Sequence, residues 1–133
     1  MVETQLTPEL VREGAALVEK LDASGVSPDA AFWLYFPDTR VWKLVLVAVK
    51  VAQNGPRVVY RSVQKALQSL RNEIVHLSLD DVVVAKPDMP VVALLSRAIS
   101  TRPGIGGIRF SRNAINGQMI DDAYIYRLKR PAA

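Results

Sequence analysis

The chain has no cysteine and only one histidine, His76, among its 133 residues. Disulfides, thiolate nucleophiles and thiolate metal sites are therefore excluded. A zinc site of ordinary type needs more nitrogen or sulfur ligands than one imidazole supplies. A Ser-His-Asp arrangement would have to recruit His76, whose neighbours Ile74, Val75 and Leu77 are apolar. A lone histidine there reads as structural. Long apolar runs are missing too. One apolar run, Leu44 to Val49, is bounded by Lys43 and Lys50, far short of the ~18 residues a membrane helix needs, and reads as a buried strand. Residues Met1 to Thr7 carry Glu3 and neither a basic start nor an apolar core, so no secretory signal is expected. The expectation is a cytoplasmic chain with no cofactor, no metal and no membrane partner.

Half of the residues are hydrophobic and 23% are charged, a balance that favours a folded core over disorder. The length fits one domain spanning 1–133, with 130–133 as a free tail. The net charge of +4 is unevenly spread. Residues 1–38 carry two positive and seven negative groups, whereas residues 39–72 carry seven positive groups and no negative one. Such segregation suggests basic and acidic faces, but folding can interleave the segments, and the favoured reading is an ordinary solvated surface.

Thr7-Pro8-Glu9 is a helix start: a capping hydroxyl, proline in the first turn, and an acid at the positive dipole end. Leu10, Leu17, Val18 and Leu21 form its apolar stripe, with Gly14 on the same side to permit close packing on a sheet. Residues 30–36 and 41–49 read as strands of a hairpin turning at Pro37-Asp38-Thr39-Arg40. The alternative for 28–36 is a short helix begun by Ser27-Pro28-Asp29. The second strand is apolar on both faces apart from Lys43, as a central strand would be. Gly55-Pro56 opens a second helix with Val59, Val63, Ala66, Leu67 and Leu70 inward. A Val-rich strand follows within 80–86, then a third helix from Asp88-Pro90 with Val91, Leu94, Leu95, Ala98 and Ile99 inward. Residues 108–115 and 118–128 form a second hairpin around Asn116-Gly117, the strongest local hairpin signal.

The order α-β-β-α-β-α-β-β defines a mixed α/β domain on the border of the α+β class, with five strands in one sheet and helices on its faces. Strand–helix–strand crossovers would make the second, third and fourth strands parallel and put the second and third helices on one face. The first helix would then cover the other face alone. Because one helix cannot cover five strands, a homodimer is expected to complete the burial.

The second hairpin carries the most chemistry. A two-residue loop places Ile115 opposite Gln118 and so pairs Arg112 with Asp121 among apolar neighbours, an expected structural ion pair. The other face aligns Arg109 with Tyr124, Ser111 with Asp122 and Asn113 with Ile120, with Tyr126 beyond. The favoured reading is a solvated antiparallel face, since tyrosine suits strands; the alternative is a platform for single-stranded nucleic acid, with arginine beside tyrosine rings. On the second helix Arg57, Arg61 and Lys65 recur every four residues and share one face, with Arg71 near its end and no acid among them. Such a row suits phosphates. Arg102-Pro103-Gly104-Ile105-Gly106-Gly107 is no phosphate loop, because the glycines follow a helix and precede a strand. Asp80 and Asp81, adjacent on a strand, would point to opposite faces.

Pro37-Asp38 and Ala48-Val49-Lys50, set in a helix–hairpin–helix–strand order over residues 7–86, resemble the core of the PD-(D/E)xK nucleases. Ala48 stands where that family has a metal-binding carboxylate, so the resemblance implies a degenerate relative that lacks a ligand for hydrolysis. The functional expectations are a non-enzymatic, bacterial-type interaction domain that self-associates or joins an assembly; a nucleic-acid accessory protein using Arg57, Arg61, Lys65, Arg71, Arg109, Tyr124 and Tyr126; or a hydrolase with a carboxylate near Asp38 or Asp122.

Overall fold

The computed structural model describes residues 5–48, 55–86, 88–98, 106–115 and 118–128, with 96–98, 110–115 and 118–121 as backbone alone. The elements are α1 (Pro8–Ala23), β1 (Ala30–Phe36), β2 (Val41–Val47), α2 (Pro56–Ser69), β3 (Val82–Val84), α3 (Pro90–Ala98), β4 (Ile108–Ile115) and β5 (Gln118–Leu128). This is the expected order, and residues 30–36 are strand, not helix. A 3-10 turn at Leu79–Asp81 takes up the start of the segment read as the third strand. No helix among the described residues is long and apolar enough to cross a membrane.

Local chemistry fixes the ends. The Thr7 hydroxyl accepts the Leu10 amide at 3.2 Å, capping α1. The β1–β2 turn closes when the Arg40 amide donates to the Phe36 carbonyl at 2.8 Å. Arg40 takes the left-handed conformation, with φ of 57°, that a tight reversal demands. Phe36 then faces Val41 and Tyr35 faces Trp42.

The five strands lie in the order β3-β2-β1-β5-β4. β2 and β3 are parallel, with Leu44 opposite Val82, and every other pair is antiparallel. β2 is thus a central strand, as its two apolar faces required. The β4–β5 register is the expected one, from Ile115 opposite Gln118 to Ile108 opposite Ile125. The side chains of Arg112 and Asp121, and the Asn116-Gly117 turn, lie outside the described residues.

Two expectations about layout are corrected. β4 does not lie parallel beside β3: it sits at the opposite edge and runs against it, because β5 docks on β1. In consequence α1 and α2, not α2 and α3, share a face. Leu17, Val18 and Leu21 of α1 and Val59 and Val63 of α2 pack with Trp33, Leu44, Leu46 and Tyr126. On the other face Val92, Leu94 and Leu95 of α3 pack on Phe32, Leu34, Val45 and Ile125. Val92, not Val91, is the buried residue in the first turns of α3. Both faces of β1 are buried from Ala30 to Leu34, as are Leu44 to Val47 of β2 and Ala123, Ile125, Tyr126 and Leu128 of β5. The uncovered face from which a homodimer was expected is not found on these strands.

Pairing of β1 with β5 shifts by one residue between Ala31 and Phe32: Ala31 faces Arg127, while Phe32 faces Ile125. Tyr126 is the extra residue of this bulge. A bulge breaks alternation and re-aims side chains, and here both Tyr126 and Arg127 project toward α1. The Tyr126 hydroxyl accepts the Trp33 indole N–H at 2.9 Å and donates to the Val11 carbonyl of α1. The Arg127 guanidinium grips Asp22 at the end of α1 through two hydrogen bonds of 3.0 and 2.7 Å. Gly14 has the close-packing role expected of it. A Cβ there would lie 2.4 Å from the Tyr126 oxygen and 2.8 Å from the Trp33 nitrogen.

Candidate nucleic-acid interface

Helical periodicity turns Val59, Val63 and Ala66 of α2 to the sheet, and therefore sends Arg57, Arg61 and Lys65 outward. All three are exposed, as are Gln64, Gln68 and Arg71. At four residues per step and 1.5 Å per residue, successive charges stand about 6 Å apart along the axis. α2 contains no acidic residue, and among the described residues no carboxylate pairs with this row.

The sheet platform is assembled differently from the expectation. Arg109 does lie opposite Tyr124, and Ser111 opposite Asp122. The Arg109 Nε, however, donates to Asp122 at 2.7 Å and its Nη2 to the second carboxylate oxygen. Its guanidinium carbon stands 5.4 Å from the Trp42 ring centroid, a cation–π arrangement. Trp42 in turn meets Tyr35 at 5.5 Å between ring centroids. Tyr126 is 2% exposed, so its ring belongs to the core and offers no stacking surface. Burial pushes its hydroxyl far above the ordinary value of 10, against the lowering effect of the Trp33 hydrogen bond. Alternation along β1 and β2, combined with the four-residue turn, pairs Tyr35 with Trp42; only the docking of β5 on β1 brings the two beside Arg109.

A second polar cluster was not anticipated. Glu13 is buried on α1, and one carboxylate oxygen accepts the amides of His76 and Leu77 at 2.9 Å each. The other meets His76 Nδ1 at 2.7 Å. His76 is structural, as expected, yet its side chain is 56% exposed: it clamps the chain after α2 to α1 at a cleft of about 340 Å³ lined by Glu9, Arg12, Glu73 and Val75. Burial alone would raise the Glu13 carboxyl; hydrogen bonds from His76 and the backbone outweigh it and hold the group below 4.5. The hydrogen bond to Glu13 holds His76 above 6.5. The two signs define a window. The His76 contribution is complete below 6.5 and fades as pH rises through its elevated folded value; the Glu13 contribution is complete above 4.5 and fades as pH falls through its depressed one. His76→Ala should therefore lower the melting temperature most between these two values and progressively less toward pH 8. A deficit independent of pH would show that the pair is not the linked group.

Asp38 is exposed in the β1–β2 turn and Ala48 is buried just past the far end of β2. A seven-residue strand separates them, roughly 20 Å at about 3.3 Å per residue, so the two nuclease-like motif positions do not converge. Lys50 lies outside the described residues. Asp122 is engaged with Arg109, and among the described residues no three His, Asp or Glu side chains gather as metal ligands.

The fold is therefore an α+β domain with an exposed basic helix on one layer and an arginine–aromatic cluster on the sheet beneath. No protein-family model, curated protein or solved structure matches the chain.

Proposed function

We infer that this chain is an interaction domain that docks on nucleic acid through the outer face of α2. The observation that carries the reading is the row Arg57, Arg61 and Lys65: exposed, evenly stepped, and without a neutralising carboxylate among the described residues. A positive row with no internal counter-ion gains by exchanging condensed counter-ions for phosphates. Arg71, exposed just past α2, extends it. The reading takes the chain to be cytoplasmic and its role to be accessory, positioning nucleic acid without reacting with it.

Fluorescence anisotropy against short labelled duplexes, repeated at rising salt, tests this. Affinity is expected to fall steeply with salt. Each Arg or Lys changed to Gln among Arg57, Arg61 and Lys65 should reduce the slope of log K against log salt by roughly one. Absence of binding to duplex and single strand alike, or binding indifferent to salt, removes the reading. The solution mass of the same sample reports on self-association.

A further inference from the structure

Tyr35, Trp42, Arg109 and Tyr124 occupy the sheet face that carries α1 and α2. Tyr35 and Trp42 sit beside the β1–β2 turn, and both Tyr35 and Tyr124 pack on the same core as Trp33. Three features set the patch apart. Arg109 is planar and fixed: one face of its guanidinium is directed to Trp42, two nitrogens are held by Asp122, and 49% of the side chain is still exposed. The Tyr35 and Tyr124 rings are half-buried, anchored yet accessible. Finally, the Trp42 ring lies under the Arg109 guanidinium, with its indole N–H buried and without an acceptor among the described residues.

Topology connects the patch to the basic row. Because β2 and β3 are parallel, α2 must run back against them, starting near the Val47 end of β2 and returning toward its Val41 end. Arg71 therefore follows α2 toward the same end of the sheet as Tyr35 and Trp42, and Arg40 is exposed in the adjoining turn.

We propose that this patch receives unstacked bases of a single-stranded nucleic acid whose phosphates run along α2. Tyr35 and Tyr124 supply ring surface and Arg109 a guanidinium plane for stacking, with Trp42 beneath Arg109 as the floor of the patch. Sequence-tolerant stacking of this kind, fed by a positive row, is how single strands are held. The proposal rests on the α2 reading and adds to it the preference for single strands.

Titrating the full chain with a twelve-residue thymidine oligonucleotide and with a duplex of the same length separates the two. Tyr35→Leu and Tyr124→Leu keep apolar bulk but lose the ring. Each is expected to lower the ratio of single-strand to duplex affinity by roughly five- to a hundred-fold. Intrinsic tryptophan fluorescence supplies a readout in the unaltered protein, where the oligonucleotide should quench and shift the emission of Trp42. An unchanged affinity ratio in both variants, or binding of the oligonucleotide with no change in emission, overturns the patch while leaving α2 intact. Binding of neither nucleic acid overturns both readings, and so does selective binding of an unrelated peptide in their place. Should either leucine variant melt well below the parent protein, the emission test alone decides.

Discussion

Replacing Asp22 with alanine is expected to cost up to about 3 kcal/mol of folding stability, the scale for breaking a buried ion pair. Arg127 is 3% exposed, so its charge is held away from water. Its guanidinium donates to the Asp22 carboxylate, to the Pro28 carbonyl at 3.0 Å and to the Ser27 hydroxyl at 3.3 Å, and Asp22 brings a compensating charge to it. Asp22 itself sits in the last turn of α1, where the helix dipole disfavours an acid, so the carboxylate is held there by Arg127. The reverse substitution is milder. Arg127→Met fills similar space with apolar surface and leaves Asp22, whose side chain is 31% exposed and bonded to Ser27 at 2.7 Å, able to rehydrate. Urea denaturation of Asp22→Ala, Arg127→Met and the double variant measures the asymmetry. The double variant should recover most of what Asp22→Ala loses. Equal costs for the two single substitutions would refute a buried, dependent arginine.

Tyr126→Phe is expected to cost about 2–4 kcal/mol, because one deleted oxygen strands the Trp33 indole N–H and a lone pair of the Val11 carbonyl beneath α1. Gly14→Ala should be destabilising too, despite alanine's advantage of about 1 kcal/mol in a helix. Its methyl would enter the space of the Tyr126 hydroxyl and the Trp33 nitrogen, and overpacking of that kind costs about 1–3 kcal/mol. The two substitutions are coupled. Removing the hydroxyl takes away the closest obstacle to the new methyl, so the double variant should lose less than the sum of the singles. Thermal melts of the four proteins decide the point, and strict additivity would show that α1 does not rest on this oxygen.

Much of the fold is written locally. Thr7-Pro8, Pro37 to Arg40 and Asn116-Gly117 punctuate the chain, and periodicity between them identifies the helices and strands. The outward row of α2 was legible for the same reason, since it needs only the helical repeat. What local patterns do not carry is the choice of strand partner. β5 could have lain anywhere in the sheet; it docks on β1 because Ala123, Ile125 and Tyr126 complete the layers begun by Phe32 and Trp33, a fit visible only in three dimensions. Arg127 was missed because alternation assumes a regular strand, and the bulge at Tyr126 breaks it. His76 has apolar sequence neighbours, but the irregular stretch after α2 turns its ring to solvent while Glu13 holds its backbone. The candidate site was half legible: Arg109 and Tyr124 came from one hairpin's register, whereas Trp42 and Tyr35 required setting that hairpin against another.

The docking of β5 on β1 joins positions nearly a hundred residues apart, as the 93-residue separation between Trp33 and Tyr126 shows. Such closure is slow relative to helix and hairpin formation. During synthesis, a chain that has emerged only as far as α3 can form the β1–β2 hairpin, but one flank of β1 stays bare, with its amides and carbonyls unpaired. Completion waits for the last strand to leave the ribosome. A truncation ahead of residue 118 should therefore yield an aggregation-prone species rather than a smaller stable domain.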